Sequence, residues 1–337
     1  MINVEPKIDF EKAWTAFIMA KRNQDVSKGH MVNYDLTLKY WRTFHPTIKL
    51  EDITSHAIRE WIEWLRGSGD SATPAAPTGR TGKLSSGTVH VHYRNMRCFL
   101  TWCEREELIV KSPMHRVDSP VVEEVVPDIL TEREVFDLLS SVKNSGDRNA
   151  FRDYVIHLFF LDTDVRLNEF VHIDLTDVDT NAGYVIVRYG KRNPRKGGFT
   201  KRTIGLGNEI RKELNMYLMK WRQADEQEKA LFVNEHGSRL KTQGVRSMIV
   251  RDLKKYVARP LNRNGSHTHR HTGITFDMKR SRNKDIVARK AGHTDHNTTE
   301  RYVHLARVDY LVQDSSAMDD LMRSKGQEIR YTKQKSE

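Results

Sequence analysis

The chain has 337 residues, 38% hydrophobic and 30% charged, long enough for two domains of ordinary size, each with its own core. No apolar run approaches the roughly 20 residues that cross a bilayer, and the opening MINVEPKIDFEKAW carries acids and no long apolar block. A membrane protein and a secretory signal are therefore not expected. Cys98 and Cys103 share one helical-looking stretch and cannot build a disulfide framework, so a reduced, cytoplasmic setting is expected. The formal charge of +11 fits either plain solubility or a polyanionic partner.

The first part reads as helices. Phe10, Ala13, Trp14, Phe17 and Ile18 recur at helical spacing, as do Met31, Tyr34, Leu38 and Trp41, then Ile58, Trp61, Ile62 and Leu65. Gly67 is placed to cap the third helix. Residues 67–87 are rich in Gly, Ser, Thr and Pro and read as a loop. A fourth helix is expected over Thr88–Glu107, burying Val89, Met96, Phe99, Leu100 and Trp102. Three prolines between Lys111 and Pro127 mark a linker, set at 111–128, so the first domain is 1–110 and the second 129–337.

Thr131 and Glu134 form a capping box that opens the next helix, and Tyr154–Phe160 keeps the helical character. Tyr184–Arg188 and Thr203–Leu206 read as short strands. From Arg188 to Arg202 there are seven Lys or Arg residues and no acid, which alone is an ordinary solvated loop. The helical pattern resumes at Ile210 and is interrupted near Asn262–Ser266. The fold class is mainly α with a small antiparallel sheet: a helical first domain and an α+β second.

Asn283–Ala291 reads as a short helix ended by Gly292, with His293 just beyond it. Asn297 as N-cap with Glu300 three residues on opens the next helix and places Tyr302 early in it. A lone tyrosine is far more often packed than reactive. At pH 7 only about 0.1% of it is ionised, so a nucleophilic role needs activating neighbours. SHTHRHT at 266–272 supplies them, with His267 and Arg270 on one helix face. TDVRLNE at 163–169 adds Arg166 with Glu169 three residues later, by itself an everyday surface pair. A metal site is the rival reading of His267, His269, His271, His293, His296 and His304. No HExxH spacing occurs, alternate histidines diverge on a helix, and two arginines would oppose a cation. No metal and no cofactor is expected.

In this order the pieces resemble the tyrosine recombinase (phage integrase) family. SHTHRHT resembles its His-x-Leu-Arg-His-Thr box, with His269 where leucine is usual. AGHTDHNTTERYVH at 291–304 resembles Leu-Gly-His…Thr-Thr-x-x-Tyr-x-His almost residue for residue. TDVRLNE resembles Thr-Gly-x-Arg-x-x-Glu, with Asp164 in place of glycine. KGGFTKRTIGL at 196–206 resembles the hairpin pattern Lys-Thr-x-x-Ser-x-Arg-x-Ile-Pro-Leu and selects Lys196. The neighbouring Tyr-Gly-Lys resembles the Gly-Lys-Gly form and would select Lys191 instead.

The resemblance implies a helical core-binding domain, a catalytic domain with a C-terminal helix or tail, and no additional N-terminal arm-binding domain. It implies Tyr302 as nucleophile, Arg166 and Arg270 on the phosphate oxygens, and a hydrogen bond from His293. His267 would help to take the tyrosine proton, Lys196 would protonate the leaving 5′-oxygen, and Glu169 would orient Arg166 or a histidine. Lys191, Arg195, Lys201, Arg94 and Arg97 are the expected DNA contacts. The implied reaction runs through a 3′-phosphotyrosine and a Holliday junction without metal or ATP. The partners implied are double-stranded DNA bearing specific recombination sites and a homo-tetramer formed on it. The free protein is expected to be a monomer or weak oligomer, cytoplasmic and nucleoid-associated. Val308–Met322 either docks on a neighbouring subunit or packs on its own domain. A type IB topoisomerase, a DNA-binding protein that has lost catalysis, and a metal-dependent hydrolase are the rival functions.

Overall fold

Apolar residues three and four apart build helices throughout the computed structural model. It describes residues 9–24, 26–67, 83–123, 126–188, 192–193, 198–199, 201–262, 265–293, 299–300, 302–303 and 306. The chain divides into two compact units, Met1–Val125 and Val126–Glu337. Among the described residues, no helix is long and apolar enough to cross a membrane.

The first unit holds α1 (Phe10–Asn23), α2 (Lys28–Phe44), α3 (Ser55–Arg66) and α4 (Ser86–Arg105). The hydroxyls of Ser27, Thr54 and Ser85 each accept an N–H of the first turn that follows. Gly67, at φ 66°, closes α3 in the left-handed region. Trp14, Phe17, Trp41, Trp61 and Phe99 interlock in the core, with Trp14 and Phe99 centroids 4.6 Å apart. The stretch from Lys111, expected as linker, is packed onto this unit instead. Met114 and Val117 are buried in its core, and Tyr93 Oη donates to Val117 O at 3.0 Å. Two apolar side chains among the prolines supply that anchorage.

The second unit begins with α5 (Glu132–Lys143), opened by the Thr131–Glu134 capping box. Next come α6 (Ala150–Thr163) and α7 (Leu167–Phe170), then β1 (Val178–Asp179), β2 (Tyr184–Val187), β3 (Arg192–Asn193), β4 (Gly198–Phe199) and β5 (Arg202–Gly205). After these run α8 (Asn208–Met216), continued by a π turn at Tyr217–Trp221, α9 (Thr242–Tyr256), α10 (Ser266–Ser281) and α11 (Lys284–Ala291). The strands β1-β2-β5 form an antiparallel sheet with Val185 opposite Ile204, and β3 pairs with β4 as a separate ribbon. α6 is apolar nearly all round and runs through the core, packed on α5, α8 and α10.

Asp164 ends α6 at φ 55°. Aspartate is one of the few side chains that tolerate this left-handed conformation, which explains how it stands where the family pattern has glycine.

Candidate active site

α10 turns His269 one way and His267 with His271 another. His267 is exposed, His269 is fully buried, and His271 reaches Tyr302. His269 turns into the core, where its Nε2 lies 2.7 Å from His157 Nδ1, and His157 Nε2 lies 3.0 Å from Asp252 Oδ2. Burial holds the His269 imidazole well below its ordinary pKa, so it is neutral. His269 therefore does not converge with the other two. Among the described residues, no group of three His, Cys, Asp or Glu side chains is arranged to hold a metal.

Three arginines gather at the C-terminal end of α11, where helix carbonyls are left without intrahelical partners. Arg202 Nε donates to Lys290 O at 2.9 Å, Arg270 Nη2 to Ala291 O at 2.7 Å, and Arg166 Nη2 to Gly292 O at 3.0 Å. Arg270 Nη1 also donates to the carbonyl of Asp164. The negative end of the helix dipole favours this crowd of cations. Gly292, at φ 67°, lets the carbonyls turn toward them, and a Cβ there would lie 2.9 Å from the Arg202 guanidinium.

Glu169, 2% exposed, is the counter-ion. Its carboxylate accepts Arg202 Nη1 and Nη2 at 3.0 and 2.8 Å, Arg166 Nη1 at 3.0 Å and the Arg166 backbone N–H at 2.8 Å. Burial alone would raise its pKa. The hydrogen bonds and charges of Arg202 and Arg166 together outweigh burial and hold it below the usual range. Arg270 is 5% exposed, and burial, with Arg166 close by, lowers it to about 10, still charged at neutral pH.

Tyr302 is 2% exposed, seated among Ile274, Met278, Val287 and Ala291. Its Oη is 2.6 Å from His271 Nδ1, and His293 stacks on its ring at 6.0 Å between centroids. Burial and the nearby arginines lower His293 to about 4, so it is neutral, and its Nδ1 lies 2.8 Å from Thr299 Oγ1. The His267 ring lies 6.2 Å from that of His271. Arg166, Glu169, Arg270, His293 and Tyr302 are thus brought together. Lys191, Arg195, Lys196, His296, Asn297, His304 and the stretch 308–322 lie outside the described residues, and Lys201 is exposed.

Sequence reasoning did not select His271 or Arg202. His271 stands four residues after His267 on the same helix face, a spacing that would have flagged it. In the first unit, Arg94 and Arg97 are exposed on α4 and line a groove of about 850 Å³ with Lys21, His90 and Arg105.

Residues 128–308 match the sequence profile described as the phage integrase family, and residues 12–118 that of the phage integrase SAM-like domain. The chain belongs to the phage integrase family. A curated relative, the tyrosine recombinase XerD of Oceanobacillus iheyensis, is 26% identical over 286 residues, 83% of this chain and 86% of the relative. Among solved structures, the Tn1549 transposon integrase in complex with transposon right end DNA has a TM-score of 0.68 at 17% identity, covering 95% of this chain and 99% of that one. The XerH site-specific recombinase bound to palindromic difH substrate has a TM-score of 0.67 at 18% identity, covering 87% and 81%. At these identities the structural likeness concerns the fold.

Proposed function

We propose that this phage integrase family member is a site-specific DNA recombinase whose nucleophile is Tyr302. The observation that carries the reading is the Tyr302 hydroxyl on a histidine, beside two arginines that are held by backbone carbonyls. The Tyr302 oxygen attacks a DNA phosphorus, the bond to the bridging 5′-oxygen breaks, and the product is a 3′-phosphotyrosine with a free 5′-hydroxyl. His271 Nδ1 is the nearest proton acceptor, with His267 next along the helix. Arg166 and Arg270 stabilise the extra negative charge at phosphorus, helped by His293, and each such preorganised donor is worth about 10²–10³ in rate. Glu169 orients Arg166 and Arg202. Lys196, or in the alternative Lys191, supplies the proton to the leaving oxygen. The phosphodiester energy is kept in the protein–DNA bond, so rejoining needs neither ATP nor metal.

Double-stranded DNA is the partner, and the surplus of positive charge suits its phosphates. The first unit is read as the core-binding domain, with Arg94 and Arg97 on the backbone or bases, and Lys191, Arg195 and Lys201 as contacts of the second. Two such exchanges through a Holliday junction require four copies on paired sites, in the cytoplasm at the nucleoid. The topoisomerase reading gains no support from the relatives. The direct test is a plasmid carrying two copies of a site enriched from random DNA by binding to the protein. A recombinase deletes or inverts the segment between the sites. A change in linking number with no exchange of flanks would contradict the reading.

A further inference from the structure

The carbonyls that hold the arginines come from two segments, Asp164 at the end of α6 and Lys290–Gly292 at the end of α11. Side chains of the same segments meet. Lys290 Nζ lies 3.7 Å from Asp164 Oδ2 and pairs with the Asp277 carboxylate of α10. Asp164 is fully buried. Gly273 of α10 makes the room: a Cβ there would sit 2.5 Å from Leu161 O and closer still to Asp164 Oδ1. Burial raises the Asp164 carboxyl well above the usual range, against the pull of Lys290. The Lys290 ammonium thus faces both carboxyls of the cluster. Enclosing a carboxyl is unfavourable. Glycine would adopt the left-handed backbone at Asp164 without that penalty, so the carboxyl calls for a role beyond the turn.

We propose that Asp164, Asp277 and Lys290 form a buried brace that locks the end of α6 to the end of α11 and thereby positions Arg270 and Arg202. The proposal rests on the recombinase reading above. Asp164 touches no reacting atom in it and is a positioning residue. Its side chain fixes the carbonyl that Arg270 binds, while Lys290 fixes the carbonyl that Arg202 binds. Neither arginine can then drift without breaking the contact between the helices.

The test uses the full chain and a nicked duplex enriched by binding. Asp164→Gly keeps the turn and removes the carboxyl. It is expected to slow single-turnover cleavage about 10²-fold, as a misplacement of about 1 Å does, with unchanged Kd for the duplex. Asp164→Asn, neutral and of the same shape, is expected to restore most of the rate. Lys290→Met is a second variant on a partly exposed site, expected to slow cleavage without weakening binding. Cleavage at the parental rate by Asp164→Gly overturns the brace, as does a loss confined to Kd. Should Asp164→Gly fail to fold, parental cleavage by Lys290→Met overturns it. A parent that forms no Tyr302-dependent adduct overturns the recombinase reading and the brace with it. That result is distinct from a parent that cleaves and a glycine variant that matches it.

Discussion

His271 and His267 stand one helical turn apart on α10, and His271 is the one whose Nδ1 lies 2.6 Å from the Tyr302 hydroxyl. Loss of a general base typically lowers a rate about 10²–10⁴-fold. His271→Ala is therefore expected to slow single-turnover cleavage by that order at neutral pH, and His267→Ala to slow it less. The opposite ranking would return the proton to His267. Gly292 is the second residue on which the site turns. A side chain there meets both the left-handed backbone and the Arg202 guanidinium. Gly292→Ala should lose about 1–2 kcal/mol in urea unfolding from the backbone alone, with cleavage impaired as well. An unchanged unfolding midpoint would contradict the close approach.

Among the elements, the C-terminal end of α11 and the start of α7 share three arginines and one carboxylate. Glu169→Ala leaves Arg202, itself largely buried, without its counter-ion. Breaking a buried pair in this way costs about 3–5 kcal/mol, which thermal or urea unfolding would register, and a loss under about 1 kcal/mol would mean Glu169 contributes little to folding. Much of this framework was legible in the sequence. Helical spacing gave α1 to α4, Thr131 and Glu134 gave the cap of α5, and alternation gave β2 and β5, whose observed bounds differ by about a residue. Gly292 marked the end of α11 because glycine tolerates the left-handed conformation. The partners of the arginines were not legible. Arg202 of β5 meets Glu169 of α7 33 residues away, and Arg166 meets Gly292 126 residues away, contacts between elements that local spacing does not encode. The same holds for His269, whose spacing gives no hint of His157 or Asp252 behind it.

For the whole molecule, acid is expected to act on both units. Burial lowers His92 of the first unit to about 4, and lowers His293 of the second to about 4 and His269 still more clearly. These groups are neutral when folded. Their contribution to stability is complete above the ordinary histidine pKa of about 6.5 and is lost as pH falls toward 4, His92 alone accounting for about 3 kcal/mol at most. Melting temperature should thus be flat from pH 8 to 7 and drop steeply below 6. A flat profile down to pH 4.5 would show that these histidines titrate normally in the fold. The positive surplus of the chain suits a polyanion such as DNA as its partner. The most direct measurement is a denaturing gel of the protein incubated in EDTA with a nicked, binding-enriched duplex. A protein–DNA adduct at the 3′ end, present in the parent and absent in Tyr302→Phe, is the predicted result. No adduct without added divalent metal, or an adduct that survives Tyr302→Phe, would contradict the account.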